Sequence, residues 1–184
     1  WIDVDKFAER DMGGLDPIPY QNNMDYYEKY GHAQAVKKGD KYSYDYYGNV
    51  LSGRGWAQYG FNLANLEIGV GGEIGHTTLW RHGLWRKGLF PDDSQGDSEK
   101  QNYLTYKVKA NFRYQLSASH TFDANITYMQ DAPAFQYAFV SPRTRNAATP
   151  GVGTEKVFGV DASYNFRWGD FRARVSGYYT TFRD

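Results

Sequence analysis

The stretch YLTYKVKANFRYQL, residues 103–116, decides the fold class. Its even positions are Leu104, Tyr106, Val108, Ala110, Phe112, Tyr114 and Leu116. Its odd positions include Thr105, Lys107, Lys109, Asn111, Arg113 and Gln115. One side is apolar or aromatic, the other almost wholly polar. A period of two over this length predicts a β-strand whose two faces meet different solvents.

Working outward, the Ser117–His120 link is short, and alternation resumes at once. Phe122, Ala124, Ile126 and Tyr128 oppose Thr121, Asp123, Asn125 and Thr127, which predicts a hairpin. A second pair flanks the turn signal Trp168-Gly169-Asp170. Phe158, Val160, Ala162, Tyr164 and Phe166 lie opposite Asp161, Ser163, Asn165 and Arg167. Phe171, Ala173, Val175, Gly177 and Tyr179 lie opposite Arg172, Arg174 and Ser176. A glycine-weakened pair precedes both, with Leu66, Ile68, Val70 and Ile74 facing away from Glu67, Gly69, Gly71 and Glu73. Its first strand carries Leu51, Ala57, Tyr59 and Phe61 against Arg54, Trp56 and Gln58, with a tight link expected around Asn62 to Ala64.

Six strands are thus expected near 50–61, 65–76, 103–116, 121–129, 157–167 and 171–183. Connections within hairpins are short, and those between hairpins, near 77–102 and 130–156, are long. This alternation is the layout of an antiparallel up-and-down transmembrane β-barrel with short periplasmic turns and long extracellular loops. Residues 1–49 are expected as an extracellular loop region and 50–184 as a partial barrel. A helix is predicted over Asn23 to Lys38, capped by Asn22 or Asn23 and ended by Gly39. Strands of about 11–14 residues lie near the roughly 9–11 that cross a bilayer, plus some overhang, which favours a barrel over a soluble β-sandwich. Six strands are fewer than the roughly eight of the smallest membrane barrels, so the chain is expected to be an internal piece of one.

Composition narrows the function. The 184 residues carry 21 Lys and Arg against 21 Asp and Glu, which argues against a nucleic-acid partner. The absence of Cys excludes disulfides, thiolate zinc sites and a Cys nucleophile within it. Aromatics reach 18%, with 17 Tyr, in a chain lacking any apolar run long enough for a spanning helix. His32, His76, His82 and His120 show no metal-ligand spacing, and neither Ser141 nor Ser163 sits in a nucleophile elbow. Asp92, Asp93, Asp97 and Glu99 are expected as a solvated acidic loop. The expectation is therefore a protein that is no enzyme and holds no cofactor or metal. Leu79 to Phe90, LWRHGLWRKGLF, is expected at an external loop or barrel rim, where Trp suits the interface and Arg and Lys reach water. Lys107, Lys109, Arg113, Asp123, Asp161, Arg167, Arg172 and Arg174 are expected to face the lumen, with Glu67 and Glu73. Trp80, Trp85, Arg143 and Arg145 are the expected ligand contacts.

A resemblance adds to this. Trp80-Arg81-His82-Gly83, Gly88-Leu89-Phe90, Gly96-Asp97-Ser98-Glu99-Lys100, Ala132-Pro133, residues 139–146 (FVSPRTRN), Glu155-Lys156-Val157 and residues 177–184 (GYYTTFRD) follow one another in order. As a set they resemble the barrel of TonB-dependent receptors of Bacteroidetes-type bacteria. The resemblance covers residues 80–184 and is less clear over the first 50. It implies a bacterial outer-membrane location and a barrel larger than this piece, closed around a plug. It implies import of a scarce solute such as an iron chelate, vitamin or glycan. The implied partners are outer-membrane lipid, the plug domain and remaining barrel strands, the TonB complex acting through regions outside this chain, and a surface lipoprotein. The alternative expectation is a soluble or surface-exposed β-sandwich binding module that holds a glycan through loop aromatics.

Overall fold

A computed structural model describes residues 2–7, 23–32 and 38–183. Among them, one antiparallel sheet carries eight strands. These are β1 (Ile2–Phe7), β2 (Lys41–Leu63), β3 (Leu66–Gly83), β4 (Gly96–Asp97), β5 (Gln101–Ser117), β6 (His120–Asp131), β7 (Glu155–Trp168) and β8 (Phe171–Arg183). Seven follow the order β1-β2-β3-β5-β6-β7-β8, and β4 pairs with β3 off this path. Helix α1 spans Met24–Tyr30 and α2 spans Phe135–Ala138. No helix among the described residues is long and apolar enough to cross a membrane. The chain is therefore all-β, as its period-two pattern predicts.

The hairpins form where alternation is cleanest. β5 and β6 pair in register from Tyr106↔Gln130 to Gln115↔Thr121, and a bulge precedes Ser117↔His120. β6 and β7 pair from His120↔Phe166 to Asp131↔Glu155 without a break. β7 and β8 pair from Lys156↔Arg183 to Trp168↔Phe171 around Gly169, whose φ of 55° suits a residue without Cβ.

Several expectations need correction. The loop region expected over 1–49 contains β1 and the start of β2. Lys41 to Asn49, KYSYDYYGN, carries Tyr on both faces, so no alternation marks it, yet Tyr suits an extended backbone. β3 likewise continues to Gly83, so Leu79 to Gly83 are strand and not loop. β2, β3 and β5 have 23, 18 and 17 residues, longer than expected. The first hairpin turns at Ala64 and Asn65, slightly later than expected, with Ala64 at φ 47°. Helix α1 ends at Gly31, not Gly39: the Asn23 side chain accepts from Tyr26 N at 3.2 Å, and Gly31 closes the helix at φ 71°. Residues 33–37 of the expected helix lie outside the described residues.

The chain divides into two compact units, one comprising Trp1–Leu51, Thr78–Asn102 and Pro133–Val152, the other Ser52–Thr77, Tyr103–Ala132 and Gly153–Asp184. The first has a small core in which Leu79, Ala138 and Phe139 are buried. A Cβ on Gly48 would meet the Phe135 ring at 3.0 Å, so glycine lets that ring lie on the strand. The second unit holds six strand segments, and its long apolar side chains are mostly uncovered.

Candidate functional site

The site emerges from register in the second unit. Direct cross-strand partners share a face. Arg113↔Asp123, Asp123↔Ser163 and Ser163↔Ser176 run across four strands, and Asn125↔Asp161 and Asn165↔Arg174 lie on neighbouring rungs. Lys107, Lys109, Arg113, Asp123, Asp161, Arg167, Arg172 and Arg174 consequently lie on one face. Leu104, Val108, Ile126, Val160, Val175 and Tyr179 lie on the other.

The polar face is knitted by its own side chains. Arg113 Nε donates to Asp123 Oδ1 at 2.7 Å, and Asn165 Nδ2 donates to Asp123 Oδ2 at 2.6 Å. Glu67 stands 3.9 Å from Arg113. Asn125 donates to Asp161 at 2.8 Å. Arg174 reaches Ser163 at 2.8 Å and Ser176 at 3.1 Å. Arg54 bridges Glu73 at 3.4 Å and Asp131 at 3.5 Å. Among the described residues, Lys107, Lys109, Arg167 and Arg172 have no carboxylate partner, and Arg167 directly opposes Arg172. Like charges at such close spacing favour an anionic neighbour.

Glycines on β3 make room for this face. A Cβ on Gly69 would stand 2.2 Å from Asn111 Oδ1, and one on Gly75 would stand 2.8 Å from Gly53 O and 2.9 Å from Thr105 Oγ1. Their strand has a weak apolar signature because it accepts its neighbours' side chains at these positions.

The opposite face is apolar and open. Val175 is 72% exposed, Ile74 62%, Tyr179 61%, Leu104 and Val108 56%, and Ile126 50%. Among the described residues, no other element covers these side chains.

The first unit is organised by Arg81, which is fully buried. Its Nε donates to Pro142 O at 2.6 Å, and its Nη1 donates to Ser94 O at 2.7 Å and to Asn146 Oδ1. Its guanidinium stacks 5.1 Å from the Tyr46 ring centroid. Burial pulls this guanidinium down to about 10, against the raising influence of Tyr46 and Asp93. Burial also raises the Tyr46 phenol, with Tyr44 adding to the effect. One side chain thereby ties β3 to the segments carrying Ser94 and Pro142. The sequence drew attention to Trp80, Trp85, Arg143 and Arg145 and missed Arg81. An arginine directly following Leu79 and Trp80 was the available signal.

The four expected ligand contacts have separate surroundings. Lys100 lies over Trp80 at 5.2 Å and Lys87 over Trp85 at 5.3 Å. Arg143 lies over Tyr44 at 5.5 Å. Arg145 lies 4.9 Å from the Phe90 ring centroid and 3.3 Å from Asp93. The acidic loop is likewise partly paired, since His82 Nδ1 sits 2.7 Å from Asp97 Oδ1. No cluster of three or more metal-ligating side chains occurs among the described residues.

Comparison with protein-family models, curated proteins and solved structures found no match to this chain. The class that fold and site define is an all-β chain with a two-faced antiparallel sheet.

Proposed function

We propose that this chain supplies consecutive strands of a bacterial outer-membrane β-barrel of the TonB-dependent receptor type, which imports a scarce solute. The observation carrying this reading is the exposed apolar face of the second unit, set opposite a charged and partly paired face. A soluble sheet buries one face under another layer. A membrane barrel turns that face to lipid and its polar face to the lumen. The alternation of connections agrees: turns at 64–65, 118–119 and 169–170 are short, while 84–100 and 132–154 are long.

In this reading the six strand segments of the second unit cross the bilayer. Six fall short of the roughly eight needed for closure, so further strands complete the wall. Pairing with them would satisfy the free edges of β8 and of the Ser52–Leu63 segment. Lumen side chains such as Arg113, Asp123 and Arg174 meet a plug or the solute. The sequence resemblance supports the TonB-dependent type and, with it, the plug, TonB complex and lipoprotein as partners. The full-length protein should remain monodisperse and folded only in detergent or lipid. A folded, monodisperse protein in plain buffer would contradict the reading.

A further inference from the structure

Trp56 departs from the chemistry of its face. It stands among polar strand neighbours, yet it is 71% exposed. Beside it Gln58, Gly71, Glu73, Lys107 and Lys109 line a cleft of about 340 Å³. That volume falls within the range of small-molecule sites. Gly71 forms its floor. A Cβ there would stand 3.0 Å from Lys109 Cε and 3.5 Å from Gln58 Cβ, so the glycine gives the lysine stem its path.

Charge in the cleft is unbalanced. The Glu73 carboxylate is held by Arg54 at 3.4 Å. Lys107 and Lys109 are paired with no described carboxylate. An uncovered indole offers one flat apolar surface, which suits the C–H face of a sugar ring. Gln58 offers an amide for hydroxyl groups, and the two ammonium groups call for an anion.

We propose that this cleft binds an acidic saccharide, with Trp56 stacking on a ring and Lys107 and Lys109 holding its carboxylate or sulfate. The inference deepens the transport reading by naming a solute class and a contact site. No covalent step is involved.

The test is calorimetric titration of the full-length protein in detergent with trigalacturonate and with neutral maltotriose. Trigalacturonate should bind about tenfold tighter, and the difference should shrink as salt rises. Trp56→Ala should weaken both by roughly tenfold, while Trp56→Phe retains most of the binding. The double variant Lys107→Gln/Lys109→Gln should abolish only the preference for the acid. Absence of binding, equal binding of the two sugars, or indifference to Trp56→Ala would each overturn the inference. Each variant's urea midpoint establishes that it is folded. Spin-label accessibility along β8 reads lipid exposure without ligand, so failure of sugar binding is distinguishable from failure of the barrel reading.

Discussion

Arg113 and Asp123 face each other as direct partners across the β5–β6 ladder, with Nε 2.7 Å from Oδ1. Asp123 also accepts from Asn165 at 2.6 Å, so one carboxylate links three strands. Asp123→Ala leaves two donors without their acceptor and should cost about 1–2 kcal/mol. Asp123→Asn keeps one acceptor oxygen and should cost less. Urea-unfolding midpoints of the detergent-solubilised full-length protein check the order.

Arg81 makes a different kind of link. Its removal orphans Pro142 O and Ser94 O and opens a void beside Tyr46. Arg81→Met should destabilise the first unit by about 3 kcal/mol. Arg81→Lys should rescue little, because an ammonium cannot span the same acceptors. Limited trypsin digestion should cut the variants faster at Lys87, Arg143 and Arg145. Unchanged cleavage would remove Arg81 from its organising role.

Two turns give opposite predictions. Ala64 holds φ 47°, where glycine suffers no Cβ penalty, so Ala64→Gly should be neutral or stabilise by up to about 1 kcal/mol. Gly169 holds φ 55°, so Gly169→Ala should cost about 1 kcal/mol. Paired unfolding curves compare them.

The Tyr46 phenol is raised above its ordinary value, first by burial and then by Tyr44. Its stabilising contribution is present below pH 10, its unfolded value, and is lost as pH rises through the higher folded value. Tyr46→Phe should flatten that alkaline loss. Thermal midpoints taken across alkaline pH, wild type against variant, measure the difference.

The two-faced hairpins were legible because every second residue of β5 to β8 answers to one solvent. Phe122 and Asp123 declare their faces without help from the rest of the chain. The reach of β2 was hidden, since Tyr44, Tyr46 and Tyr47 leave no period. β3 was blurred by Gly69, Gly71 and Gly75, whose reason is the side chains of neighbouring strands. Eight of the charged positions on the polar face, Lys107 to Arg174, followed from parity alone. Arg81 did not, because its role depends on carbonyls distant in sequence. The cleft beside Trp56 was equally invisible, since β2, β3 and β5 each contribute to it.

β8 reports which face meets lipid, because Val175 and Ser176 are adjacent and point oppositely. The native chain has no Cys, so single cysteines introduced into it at 174, 175, 176 and 179 can carry nitroxides. Collision rates with oxygen and with a water-soluble nickel chelate are then compared in reconstituted membranes. High oxygen and low nickel access are expected at 175 and 179, and low oxygen access at 174 and 176. Equal access at all four positions, or the reverse alternation, would contradict the barrel reading.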